Sequence, residues 1–107
     1  MSTEERVLGP VGTEIVFEND RVRIWQLRLA PGERSAIHRH EMDNILIQVA
    51  GDRIAAEPEP DTEGPYRDFI EAEPVPGAAI YVTKGGVETA VNTGKEPYLE
   101  VIVELKD

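Results

Sequence analysis

Short runs of β-forming residues, each closed by Gly, Pro, Asn or Asp, follow one another from Val11 onward. No apolar spacing of 3.6 residues persists long enough for a helix. This punctuation constrains the fold more than any other feature. It predicts an all-β domain of about eight strands, built as a sandwich or small barrel. Val11 to Phe17 is the first run, closed by Asn19-Asp20, and Arg21 to Leu29 is the second. Within the second, Val22 and Ile24 lie on one parity and Trp25, Leu27 and Leu29 on the other. That change of phase predicts a bulge, or a strand with both faces covered. Pro31-Gly32 reads as a tight turn, because Pro presets its own φ and Gly tolerates φ > 0 at the next position.

Ser35 to His40, Ile45 to Ala50 and Arg53 to Glu57 come next, the last two joined by a Gly51-Asp52 hairpin turn. Glu57 to Pro65 holds three prolines and four acids with no apolar period, and reads as an exposed acidic loop. Tyr66 to Glu71, Ala78 to Thr83 and Val87 to Asn92 supply further strands. The final run alternates most cleanly: Leu99, Val101, Val103 and Leu105 share one face, while Glu100 and Glu104 point the other way.

Residues 1–107 fit one domain with an ordinary core. Eleven basic against twenty-one acidic residues give a net charge of −10, which argues against binding phosphate backbones or anionic membrane surfaces. No apolar run approaches the roughly 20 residues of a membrane span. Met1 to Arg6 lacks the basic-then-apolar order of a secretory signal, so a soluble, cytoplasmic protein is expected. The absence of Cys excludes thiol nucleophiles, thiolate metal sites and disulfides, and leaves His, carboxylates, hydroxyls and Lys to carry any chemistry.

Both histidines of the chain fall in one tripeptide, His38-Arg39-His40. Along an extended strand, residues two apart share a face, so both imidazoles reach one point while Arg39 faces away. Imidazole is a ligand for Zn, Fe, Cu and Ni; the alternative is a surface pair on an edge strand. Asn44 and Gln48 carry the same parity if the intervening turn keeps register, and Gln48 is polar inside an apolar run. Glu88 shares its parity with Ala90 and Asn92. It either points inward, where a cation held with the imidazoles compensates its burial, or faces solvent while Val87, Thr89 and Val91 face the core.

Gly32-x5-His38-x-His40-x3-Asn44-x6-Gly51 resembles the first signature of the cupin superfamily. Gly77-x5-Thr83-x-Gly85-x2-Glu88-x3-Asn92 resembles its second. The resemblance implies a cupin-like small β-barrel (a double-stranded β-helix, or jelly roll), commonly with a metal inside and often dimeric. Cupin metal sites usually combine two histidines and a glutamate of the first signature with one histidine of the second. Here Asn44 occupies the glutamate position, Glu88 the histidine position, and Thr83 that of a proline. Carried over, the set is His38, His40 and Glu88, with Asn44 as a weak carbonyl ligand or a partner of bound water. Two imidazoles, one carboxylate and one amide suit a divalent ion, Fe, Mn, Ni or Zn, with open positions for water and substrate.

With Fe(II) such a site supports dioxygenase chemistry; with Zn or Ni it supports isomerase or lyase chemistry on a small polar organic molecule. If Glu88 is not a ligand, it is a candidate general base. The alternative to an enzyme is a non-catalytic small-molecule-binding barrel with a vestigial or empty metal site. Gln48 and Tyr81 are the candidate substrate contacts, with aromatic core as the other reading of Tyr81. Gly85-Gly86 lacks the spacing of a phosphate cradle, and Ser35 lacks a nucleophile's setting. A homodimer is expected, its sheet extended across two subunits through the first strand and the Leu99 to Leu105 strand.

Overall fold

The computed structural model describes residues 6–106; Met1 to Glu5, the bulk of the segment read above for a secretory signal, lie outside the described residues. Nine strands form among the described residues: β1 (Glu14–Glu18), β2 (Val22–Leu29), β3 (His38–Arg39), β4 (Asn44–Ala50), β5 (Ile54–Pro58), β6 (Ile70–Ala72), β7 (Ala79–Val82), β8 (Val87–Val91) and β9 (Tyr98–Leu105). They build a five-stranded sheet, β1-β2-β9-β4-β7, and a four-stranded sheet, β3-β8-β5-β6. Every pairing is antiparallel. Val11, Leu27, Leu29, Tyr98 and Ile102 form the buried core, with Trp25, Leu46, Ile54 and Ala90 packed against it. No helix of the described residues is long and apolar enough to cross a membrane.

The expected all-β architecture is present, and its punctuation works as the residue types dictate. Gly32 has φ +83°, as a turn after Pro31 requires. Gly51 has φ +130°, and a Cβ there would stand 2.8 Å from Cδ1 of Tyr98. The closing glycine of the first signature therefore makes room for the Tyr98 ring.

Three local expectations are corrected. First, of the two alternatives for the second run the bulge is absent: β2 pairs with β9 without a register shift from Val22 to Leu29, and Val22 and Ile24 on one face and Trp25, Leu27 and Leu29 on the other are all half-buried or buried. The bulge lies in β1, between Ile15 and Phe17, and a second in β4, between Gln48 and Ala50. Second, the acidic loop is tied to the barrel rather than free. Thr62 is buried and its Oγ1 accepts a hydrogen bond from Val87 N, Glu63 N donates to Gly85 O, and Arg6 pairs with Glu59 and Asp61. The predicted Tyr66 to Glu71 strand shrinks to Ile70–Ala72.

Third, β9 lies in the middle of its sheet, hydrogen-bonded to β2 on one side and β4 on the other. It has no free edge, so it cannot extend the sheet into a second subunit. Its apolar face is also not the core face. Tyr98, Glu100, Ile102 and Glu104 are buried, whereas Leu99, Val101, Val103 and Leu105 are half-buried on the outside.

Candidate metal centre

β3 and β8 carry the centre. They pair so that His38 stands directly opposite Glu88. His40 follows the two-residue strand with the parity of His38, and its backbone is fixed by His40 N donating to Gly86 O and Gly85 N donating to His40 O. Gly85 has φ +114°, which allows the turn before β8 to bring these groups together. Both imidazoles are buried, and their rings meet edge-on with centroids 4.9 Å apart.

One ligand-type atom from each of His38, His40 and Glu88 lies within 4.8 Å of the others. Glu88 Oε2 is 3.3 Å from His40 Nε2 and 3.7 Å from His38 Nε2. Two atoms each about 2.1 Å from a shared ion stand at most about 4.2 Å apart, so the two Glu88 separations suit a common ion, and the His38–His40 separation is bounded at 4.8 Å.

His38 Nδ1 donates to Ala36 O at 2.9 Å, the backbone bond that commonly orients a metal-bound imidazole. With Nδ1 committed, a neutral His38 presents a lone pair at Nε2 to a carboxylate oxygen. That juxtaposition calls for a positive charge between them, either a proton or a cation. Burial raises the proton affinity of the Glu88 carboxyl, but the bonds to His38 and His40 outweigh it and hold the carboxyl down at about 2. Asn44 is fully buried beside His40; its Nδ2 donates to Met42 O at 3.1 Å, while its Oδ1 has no hydrogen-bond partner. A buried amide oxygen without a partner costs about 1–3 kcal/mol, and a cation or its bound water would satisfy it. Two imidazoles and a carboxylate fit a divalent ion of the kind the sequence implies.

His38, His40 and Glu88 open onto a cavity of about 410 Å³ between the sheets. Its wall is largely hydrocarbon, including Leu27, Leu46, Ile54, Ile70, Ile80, Val82 and Ile102. Gln48, placed there by its parity, lines the cavity; its Nε2 donates to Tyr98 Oη at 3.4 Å and its Oε1 accepts from Val75 N. Tyr81 does not line it. Ile80 and Val82 take the inward positions of β7, so Tyr81, one residue out of phase, is 56% exposed and its hydroxyl donates to Asp43 Oδ2 at 2.9 Å. Neither the substrate-contact nor the core-aromatic reading of Tyr81 matches that position. Glu88 and Ala90 face the cavity while Val87, Thr89 and Val91 are buried on the reverse of β8, so both sides of this strand are covered.

Tyr98 and Glu100 also line the cavity, and the sequence reading passed over both. The available signal was a second polar residue in an apolar strand: Gln48 and Glu100 are direct cross-strand partners, as are Asn44 and Glu104.

No protein-family model matches the sequence, and none of the curated proteins matches it. Solved structures do match. A cupin domain from Bordetella pertussis Tohama I is 21% identical, with a TM-score of 0.76 over 94% of this chain and 96% of that one. An RmlC-like cupin family protein with a double-stranded β-helix fold from Methanocaldococcus jannaschii is 16% identical, with a TM-score of 0.69 over 87% of this chain and 77% of that one. A sugar phosphate isomerase from a cupin superfamily, from Silicibacter pomeroyi DSS-3, is 18% identical, with a TM-score of 0.57 over 81% of this chain and 52% of that one. The two-sheet topology, the paired signatures and these likenesses agree: the chain has the cupin double-stranded β-helix fold, with a His-His-Glu cluster able to hold a metal ion at its centre.

Proposed function

We propose that this protein is a metal-dependent cupin that binds a divalent ion through His38, His40 and Glu88 and transforms a small organic molecule in the adjoining cavity. The observation that carries this reading is the approach of His38 Nε2 and His40 Nε2 to one oxygen of Glu88. A bound divalent ion supplies Lewis acidity and, through open coordination positions, a place for water or substrate. The chain's own contribution is positional. Ala36 O fixes the His38 ring, the β3–β8 pairing fixes Glu88, and the Asn44 amide sits beside His40 Nδ1, on the ring edge away from Glu88. The largely hydrocarbon wall offers an apolar surface to whatever binds beside these groups. The sugar phosphate isomerase neighbour is an isomerase on this fold, and likeness at this level does not carry its substrate over.

The homodimer belongs to the same proposal, in a revised geometry. Leu99, Val101, Val103 and Leu105 lie side by side with Val22, Ile24, Ile45 and Ile47 on the outer face of the five-stranded sheet. A two-fold axis through that face would bury both copies' hydrocarbon at once.

Elemental analysis of purified protein, with His38→Ala and Glu88→Ala alongside, tests the metal reading. Close to one transition-metal ion per chain in the wild type, lost in both variants, is expected. Sub-stoichiometric metal that neither substitution changes rejects it. Turnover assays on the reconstituted protein with and without dioxygen then separate oxygenase from isomerase or lyase chemistry, and a metal-loaded protein without turnover on any substrate class supports the binding-only alternative.

A further inference from the structure

The cavity has a second polar end that the metal centre does not use. Glu100, on β9, is buried and lines the cavity wall. Its Oε1 accepts a 2.5 Å hydrogen bond from the Tyr98 hydroxyl, and that hydroxyl in turn accepts from Gln48 Nε2. Tyr98 is held in turn by Gly51, whose missing Cβ leaves space for the ring. No partner for Glu100 Oε2 occurs among the described residues, and this oxygen is not among their sealed, unpartnered side-chain atoms. It therefore faces the cavity.

We propose that Glu100, oriented by Tyr98 and Gln48, is a second binding pole that donates a hydrogen bond from Oε2 to an acceptor oxygen of a ligand with an apolar body. The hydrocarbon wall selects the body, and the Oε2 end selects a carbonyl or comparable oxygen. Oε1 already accepts from Tyr98, so a proton on this carboxyl resides on Oε2. Burial pushes the Glu100 carboxyl up and the charge of Glu88 adds to this; the Tyr98 bond and the charges of His40 and His38 oppose it without reversing it. The titratable groups around it are Tyr98 on its own strand, Glu88 from β8, and His38 and His40 from β3 and its end. Gln48 on β4 and Leu27 on β2, its cross-strand neighbours, are uncharged.

The inference refines the substrate class of the proposed function and rests on that reading only for catalysis, not for binding. The test is a titration of cyclohexanone into chelator-treated protein followed by NMR, so that no divalent ion takes part. Glu100→Met should weaken binding about five- to tenfold, the loss of one hydrogen bond, whereas Glu100→Gln restores it to within about twofold, because an amide N–H mimics a neutral carboxyl. Equal binding by Glu100→Met and wild type, no binding to wild type, or Glu100→Gln as weak as Glu100→Met each overturns the proposal. Infrared spectra need only the wild type and the isosteric variant. A protonated-carboxyl band that disappears in Glu100→Gln and shifts on adding cyclohexanone supports the proposal, and its absence from the wild type overturns it. A chain that binds no metal but passes these tests keeps this pole and loses the metal centre, so the two failures are distinguishable.

Discussion

The two faces of β9 differ in the opposite sense from their composition. The face carrying Glu100 and Glu104 points into the barrel, and the face carrying Leu99, Val101, Val103 and Leu105 points out. The inward carboxyls are tolerated because each has a built partner. Glu104 Oε1 accepts from Arg23 Nε at 2.8 Å and from Trp25 Nε1 at 2.7 Å, and Glu100 accepts from Tyr98. The two acids thus divide the interior: Glu104 ties two side chains of β2 to the central strand, whereas Glu100 faces the cavity. Burial of polar groups follows from partners supplied by other strands, not from the hydropathy of the strand that bears them.

The largest effect should come from breaking the tie. Glu104→Leu leaves the Arg23 guanidinium and the Trp25 indole N–H without their acceptor, and should destabilise the fold by about 2–3 kcal/mol, reduced from a fully buried pair because Arg23 reaches solvent. Urea unfolding measures it; a change below about 1 kcal/mol would mean that the inward acid is not structural. On the outer face, Val103→Asp should raise the dissociation constant of the proposed dimer at least about 100-fold by burying a charge in an apolar contact. Sedimentation equilibrium reads this, and a monomeric wild type would remove the covering partner altogether.

The third effect concerns pH. With its folded pKa raised, Glu100 holds its proton in the native chain over a range where the unfolded chain has lost it, so wild-type stability falls as pH rises through that range. Glu100→Gln removes that fall, so the gap between variant and wild type should move in the variant's favour with rising pH in parallel thermal melts. A smaller effect of opposite sign comes from Asp52, outside the barrel. Backbone N–H groups of Lys95 and Glu96 hold its carboxyl below its usual range. Its contribution is present above the ordinary Asp range and disappears as pH falls through the lowered value. Asp52→Asn should lower Tm slightly at neutral pH and leave it unchanged in acid.

Much of the architecture was legible in the chain. Turn residues marked the strand ends, the two-residue spacing put His38 and His40 on one face, and the resemblance to the cupin signatures added Glu88; the structure brings the three within 4.8 Å of one another. Period-2 reasoning, however, groups residues into faces without saying which face is inside. That is why Tyr81 read as a cavity residue; strand order, which periodicity does not carry either, is why the Leu99 to Leu105 strand read as a sheet edge. The direction of a strand's faces depends on cross-strand neighbours such as Gln48 opposite Glu100, which pair only once the topology is known. The acidic loop escaped for a related reason, since Thr62 and Glu63 bond to backbone of the β7–β8 turn and β8, far along the chain.

The central claim is that His38, His40 and Glu88 surround a single ion. Crystals grown from protein loaded with one equivalent of zinc, measured on both sides of the zinc absorption edge, test it directly. The account predicts one anomalous peak within bonding distance, about 2.0–2.2 Å, of both Nε2 atoms and Glu88 Oε2. Loaded crystals with no peak there, or with Glu88 turned away from the two imidazoles, would contradict it.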